Sequence, residues 1–403
     1  MHFKRLALLL LVAALAGSLC TGCWNRREPE LLGIVLAAGF DYNPEDGLYR
    51  VIAEIANPAS MGQSNNGGDG GGGSGEKSFW TAEAAGHTPF EAVRNLDSIS
   101  SRQLFWAHCR VVLFSERLAR RGLKDVLDLL ERGRQFRLIA KPVVVDGDLR
   151  KVMDTDFPLE ETGAKGLDRF IVTNRFEKSV FPEKDLNELI STLGQQGQEM
   201  IIGKLSVPEK EKEDSKNSLK TGAPPPARVG GSALFRGDRM VGWATDNETL
   251  GWAYATGRAF RSILIIESPE KKGSYISIGA FGHNAQMRLQ GDADDWRIEL
   301  KVKIDGRIQD YEGPGKLDSD NELLRALERR SAAAARNRIE ALLSRSQELK
   351  SDVIGFGNLI YRKNPKLWQQ IESRWDEEIY PQLKIDLFVE FNILRSGLTS
   401  SPL

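Results

Sequence analysis

The chain is poor in histidine and cysteine and carries no excess of charge, and each shortage removes a class of function. Four histidines (His2, His87, His108, His283) are scattered over 403 residues with no i, i+4 pair, so spacing alone assembles no zinc-type cluster. Lys+Arg of 55 against Asp+Glu of 56 leaves a net charge of -1, which gives no long-range pull toward nucleic acid. Of the three cysteines, Cys20 and Cys23 close an apolar N-terminal run, so the body holds the single thiol Cys109. With Cys23 engaged elsewhere, no internal disulfide is expected. Cys109 itself reads as a small buried apolar residue in a strand. What is present, 41% hydrophobic and 28% charged residues, is ordinary for a globular chain long enough for two or three domains.

The N-terminus sets the compartment. Lys4 and Arg5 precede an apolar stretch from Leu6 to Leu19, which ends in Leu19-Cys20-Thr21-Gly22-Cys23. A bilayer-spanning helix needs about 20 apolar residues; this run is shorter and is followed by Trp24-Asn25-Arg26-Arg27-Glu28, so it reads as a secretory signal. Gly22 directly before Cys23 fits cleavage by a lipoprotein signal peptidase. Residues 1–22 would leave, and Cys23 would become the acylated N-terminus (N-palmitoyl and S-diacylglycerol cysteine), anchored stably by more than one chain. Lipidation at Cys20 is disfavoured because Leu19 would occupy the cleavage position, and an uncleaved anchor helix is the alternative. Either way the body lies outside and beside a membrane.

Beyond the anchor, Leu31 to Ala38 is an apolar run of strand length. Leu48 to Ala56 alternates, with Val51, Ala53 and Ile55 on one face and Arg50 and Glu54 on the other, as a half-buried strand does. Residues 61–78 are glycine-rich and end in Glu76-Lys77-Ser78; a Walker loop needs Gly before its Lys, so this is a flexible loop. Thr88-Pro89-Phe90-Glu91 is a capping box opening a helix. Cys109 to Phe114 is strand, Leu118 to Leu130 helix interrupted at Gly122, and Pro142 to Val145 strand again, a pattern that predicts a mixed sheet with helices packed on it.

Residues 206–228, charged from Pro208 to Lys216 and closed by Pro224-Pro225-Pro226, cannot bury a core and form the expected boundary. It separates an N-terminal α/β region (23–205) from a C-terminal α+β domain (229–398). In the latter, Gly231 to Phe235 with Arg239 to Trp243, and Ile263 to Glu267 with Tyr275 to Ala280, suggest hairpins. Trp296 to Ile304 and Leu383 to Ile393 alternate strictly, as antiparallel sheets with one packed side do. Between them a long helix opens at Asp318-Ser319-Asp320 and carries a stripe of Leu323, Leu324, Leu327, Ile339, Leu342, Leu343 and Leu349. Its Ala332 to Ala335 patch has two readings, a seat for the close approach of another element or simply strong helix former. The fold class expected is α+β, mixed and antiparallel sheets flanked by helices, in two to three domains behind a cleaved lipoprotein signal peptide.

No constellation carries chemistry. His108 and Cys109 are adjacent, and neighbours in a strand point to opposite faces. Asp154/Asp156 and Glu160/Glu161 are near only in sequence. Asp292, Asp294 and Asp295 lack the glycine and terminal glutamate of a calcium loop. No Gly-x-Ser-x-Gly elbow occurs. No catalytic residue, metal or cofactor is therefore assigned.

Four segments together resemble a known family. Gly22-Cys23-Trp24-Asn25-Arg26-Arg27-Glu28 is similar to the processing site of the Ger(x)C spore germination lipoproteins, with Asn25 where Asp is usual and Cys20 at a common Leu position. Phe105-Trp106-Ala107-His108 with Leu113-Phe114-Ser115-Glu116, Gly237 to Trp243, and Asp352 to Gly357 with Asn364 to Trp368 resemble that family's later motifs, so the resemblance runs from about residue 20 to 397. It implies the C subunit of a nutrient germinant receptor on the outer side of the spore inner membrane, beside membrane A and B subunits, with a mixed α and β fold of three domains. It transfers only Cys23 as a functional residue and leaves open whether the subunit touches germinant. The competing reading is an extracytoplasmic solute-binding lipoprotein serving a transporter, with Trp243, Trp252 and Tyr254 lining a cleft. A spore-cortex hydrolase has no residue set to support it.

Overall fold

The computed structural model describes residues 3–10, 31–57, 78–206 (except 134, 156, 158 and 183), 227–291, 296–311 and 321–395. The cleavage site with Cys20, Gly22 and Cys23, most of the glycine-rich loop, the charged linker, and Asp292 to Asp295 lie outside these residues. Residues 3–10 are helical, and among the described residues no helix is long and apolar enough to cross a membrane.

Two sheets organise the chain. The first is built from β1 (Leu32–Asn43), β2 (Leu48–Ala56), β3 (Phe79–Gly86), β4 (Gln103–Phe105), β5 (Val111–Ser115), β6 (Lys141–Asp146), β7 (Ile201–Ser206), β8 (Arg228–Arg236) and β9 (Arg239–Ala244). Its order is β3-β2-β1-β5-β6-β7-β8-β9, with β4 on β1. The central strands β1, β5, β6 and β7 run parallel, and antiparallel pairs flank them. Parallel neighbours need crossovers. Between β5 and β6 these are α2 (Glu116–Arg121) and α3 (Lys124–Arg132); between β6 and β7 they are α4 (Leu149–Met153), α5 (Gly163–Lys178) and α6 (Leu186–Leu193).

Helices cover both faces of this sheet. Val112, Phe114 and Val144 pack with Val93 and Leu96 of α1 (Pro89–Ile99) and with Val126 and Leu130 of α3. Val111, Leu113, Val143 and Val145 pack with Val152, Leu167 and Ile171 on the other side. Two packed faces explain why β5 and β6 read as unbroken apolar runs rather than alternating ones. They also overturn the half-buried reading of β2. Glu54 is fully buried, because α5 begins against it and Ala164 N donates to its Oε1 at 3.0 Å. A carboxylate at a helix N-terminus meets unpaired amides and the positive end of the dipole.

The second sheet, β10 (Ser262–Glu267), β11 (Tyr275–Gln290), β12 (Arg297–Tyr311) and β13 (Ile385–Arg395), packs one face on α8 (Asn321–Glu348). The alternation expected of β12 and β13 is present, with Ile298, Leu300, Val302 and Ile304 buried in β12 and Leu387, Phe391 and Ile393 in β13, except that Glu299, expected on the wet face, is buried too. The antiparallel expectation fails at β13, which pairs parallel with β12. The chain between them, α8, α9 (Phe356–Lys363) and α10 (Pro365–Ile371), is long enough to return β13 in the same direction.

The expected boundary at 206–228 does not separate the sheets. β8 and β9, the hairpin placed in the C-terminal domain, hydrogen-bond onto β7 and complete the first sheet, because β7 would otherwise leave an open edge against the second half. α7 (Asp246–Ala255) then lies between the halves with Thr249 through Ala255 all buried. The Ala patch of α8 is where α7 approaches: Ala335 is fully buried, and a Cβ built at Gly251 would overlap the Arg338 carbonyl one turn on. In an open helix Gly→Ala gains about 1 kcal/mol. At Gly251 the sign should invert. Gly251→Ala is expected to lower the unfolding free energy by about 1–3 kcal/mol, read from urea midpoints; an unchanged or raised midpoint would refute this close helix crossing.

Candidate functional site

The described residues bring buried carboxyls together at a joint between the halves. It starts at Asp352, whose carboxylate is fully buried. Oδ1 accepts from Gly355 N at 2.8 Å and Phe356 N at 3.1 Å, and Oδ2 from Gly357 N at 2.8 Å. One side chain thus satisfies the amides that open α9, with Gly355 at φ +89° in the left-handed region that glycine tolerates. Asn364 caps α10 in the same manner, accepting from Leu367 N at 3.1 Å with Pro365 at the first helical position.

This turn grips the loop before β7. Glu199 N donates to Asp352 O at 2.9 Å and Asn358 N to Gly197 O at 2.7 Å. Trp368 Nε1 donates to Gln196 Oε1 at 2.8 Å and Asn358 Nδ2 to Gln196 O at 3.1 Å, while Ser351 Oγ donates to Phe235 O of β8. Gly197 and Gly357 allow the backbones to touch, since a Cβ on Gly357 would fall 2.8 Å from Gly197 Cα. Trp375 closes the joint, 5.6 Å from the Trp368 ring and 6.0 Å from that of Tyr380.

A cavity of about 110 Å³ beside this turn is lined by the carboxyls of Glu199, Glu372 and Asp376, and Asp352 is not among its lining residues. Glu199 lines it and accepts from Gly237 N at 2.6 Å; burial pushes its carboxyl up to about 7, with the charges of Asp376 and Asp352 adding to the rise. Burial likewise takes Asp352 up to about 6 despite its three amide donors, and raises Asp376. Perturbed carboxyls in a recess mark candidate functional sites. This recess is far smaller than the roughly 300 Å³ lower bound of ligand pockets, and Glu199 in its wall is occupied in holding the Gly237 amide.

The sequence-nominated groups disperse. Cys109 is buried, but it follows a 3₁₀ turn (Trp106–His108) and precedes β5 rather than lying in it, with its thiol pushed up to about 12 by burial. His108 packs on Phe105, 5.6 Å between centroids. Asp154 pairs with Arg150 at 2.8 Å and Glu160 with Arg169 at 2.9 Å. Trp252 and Tyr254 are buried in the α7 layer, where Trp252 Nε1 donates to Val353 O at 3.1 Å, so they line no cleft. Trp243 Nε1 donates to Glu116 Oε1 at 3.2 Å on another face. Among the described residues no His, Cys, Asp or Glu group could hold a metal. A wider cleft of about 670 Å³ lies past the C-terminal ends of β1, β5 and β6, lined by Asp41, Arg50, Glu83, Arg117 and Arg150 among others. Asp41 there is engaged by Ser115 and Arg117, and Arg150 by Glu83 and Asp154.

Comparison with known proteins follows this architecture. Residues 25–207 match the family model described as the spore germination protein N-terminal domain, and residues 230–397 that described as spore germination B3/GerAC like, C-terminal. The chain is 26% identical to spore germination protein KC of Bacillus subtilis (strain 168), covering 99% of this chain and 98% of that protein. It is 20% identical to spore germination protein GerQC of Bacillus cereus, covering 94% and 96%. The crystal structure of the GerBC protein shares the fold, with a TM-score of 0.53 at 16% identity over 89% of this chain and 98% of that one.

The joint carries a pH dependence of definite sign. Glu199 and Asp352 bind protons more tightly folded than unfolded, so the folded state gains stability as pH falls from above 7 toward the unfolded carboxyl range near 4. Thermal midpoints of wild type and Glu199→Gln, followed from pH 8 to 5, are expected to converge at the acid end, the variant being the more stable of the two at pH 8. Parallel profiles would show that Glu199 does not titrate in this window.

Proposed function

The chain belongs to the GerAC-like spore germination family, and from that premise we propose that it is the lipid-anchored, non-catalytic C subunit of a nutrient germinant receptor. It assembles with membrane A and B subunits on the extracytoplasmic face of the spore inner membrane. The observation that carries this reading is the order of parts: both family models lie in sequence along the chain, directly behind Gly22-Cys23 at the end of an apolar run.

The anchoring mechanism is physical. A diacylglyceryl thioether with an N-acyl chain holds a protein at a bilayer where one acyl chain would release it. Confinement to that surface raises the effective concentration of subunits for one another without any new contact. A body that binds and positions, rather than reacts, agrees with carboxyls committed to amides and with the burial of Trp252 and Tyr254, the aromatics that a solute-binding cleft would need.

Cys23→Ala tests the anchor. The variant is expected to lose its acyl chains by mass spectrometry and to leave the spore inner membrane fraction, while its thermal midpoint stays that of the wild-type body. Equal membrane retention of both forms would sink the mechanism. Co-purification of the A and B subunits with the wild type, and markedly less with the variant, is the expected partner result.

A further inference from the structure

We propose that the N-terminal end of the first sheet is a membrane-contact surface, with Leu31, Trp80, Ile99 and Leu159 inserted into the interfacial zone of the bilayer. The proposal rests on the lipid-anchor reading above and adds an orientation to it.

The four side chains come from separate segments that the sheet register brings to one end. Leu31 precedes β1, whose Leu32 pairs with Gln103 of β4, next to Arg102. Val35 of β1 pairs with Ile55 of β2, and Ile55 with Trp80 of β3, so Trp80 stands two strands across at the level of Val35, four residues along from Leu31. Ile99 closes α1 four residues before Gln103. Leu159 reaches the same end because Ser78, the residue before β3, donates to the Glu161 carbonyl. All four are exposed, at 63% for Leu31, 47% for Trp80, 54% for Ile99 and 95% for Leu159. Single exposed apolar residues need no explanation, but a group of large ones on one end marks an interaction surface.

Chain length decides what meets this end. From Cys23 to Leu31 there are eight steps, at most about 28 Å when fully extended, so an acylated Cys23 holds Leu31 no farther than that from the bilayer. β1 then carries the chain about 40 Å in the opposite direction, toward the charged cleft of Asp41, Arg50, Arg117 and Arg150. The end within reach of the lipid is apolar and the end out of reach is charged. Nearby charge is nearly balanced, with Lys165 and Arg169 set against Glu160 and Glu161. Binding therefore comes from apolar insertion and not from attraction to anionic headgroups, with Trp80 an indole suited to the interface.

The test uses the full acylated protein in vesicles of phosphatidylethanolamine and phosphatidylglycerol, with a nitroxide at Leu159→Cys or, as a control, Ile265→Cys. Ile265 is equally an exposed apolar residue, on the edge strand of the second sheet, and buried Cys109 will not react. Collision with oxygen is expected to exceed collision with an aqueous nickel chelate severalfold at 159 but not at 265, unchanged in 0.5 M salt as the weak screening of apolar contacts requires (roughly a 4 Å Debye length). A protein that floats with the vesicles while position 159 is as aqueous as 265, or 265 is the lipid-exposed one, overturns the orientation and leaves the anchor standing. Failure to float at all overturns the anchor and the orientation with it.

Discussion

The two halves of this molecule are held together by backbone that has no partner of its own element. Three amides at the start of α9 point into the protein, and Asp352 satisfies all three with one carboxylate. A buried N–H without an acceptor costs as much as a lost hydrogen bond, often more. The position therefore demands an acceptor with two oxygens, short enough to turn back on its own chain. Burial makes the charge of that acceptor expensive, which is why its proton affinity rises even with three donors present. The same turn presents Asp352 O, Asn358 N and Trp368 Nε1 to the loop before β7. Relief of one local problem thus fixes the packing of the second half on the first sheet.

Much of this could be read from residue order. Period-two alternation located β12 and β13, the Thr88-Glu91 box located α1, and of the two readings of the alanine patch of α8, close approach is the one that α7 realises at buried Ala335. What alternation does not encode is direction: β13 presents the same dry and wet faces whether it runs parallel or antiparallel to β12, and only the length of the α8–α10 return distinguishes them. Elements covered on all sides also escape periodicity. α7 has no polar stripe because it lies between the first sheet and α8, and β2 hides a glutamate because a helix N-terminus sits on it. A polar residue on an alternating strand marks solvent only where nothing else covers that face.

The joint was half legible. The segments Asp352 to Gly357 and Asn364 to Trp368 resemble family motifs in the sequence alone, and both are helix openings at the junction. Their partners Gln196, Gly197 and Glu199 carry no signal of their own. Gly197 is one glycine among 39, and Glu199 looks like any surface acid until Gly237 donates to it and the second half removes its water. Its burial depends on segments some 40 and 150 residues downstream, and no local window contains that information.

Cys109, the one cysteine among the described residues, takes its setting from the same architecture. Small domains rely on disulfides where their cores are too small to offset chain entropy. Here the largest apolar cluster draws on both halves at once, from Ile201 and Leu234 of the first sheet through Tyr254 of α7 to Leu300 and Phe391 of the second. That cluster forms only because β8 and β9 extend the first sheet past the linker and α7 then turns back over it. A continuous core does the work that cross-links do in smaller folds. Cys109 belongs to a different cluster, the one that α1 and α3 build on the first sheet, where its thiol is enclosed and held protonated by burial. The linker between 206 and 228 can be long and charged without dividing the fold, because the strands on either side of it are hydrogen-bonded to each other.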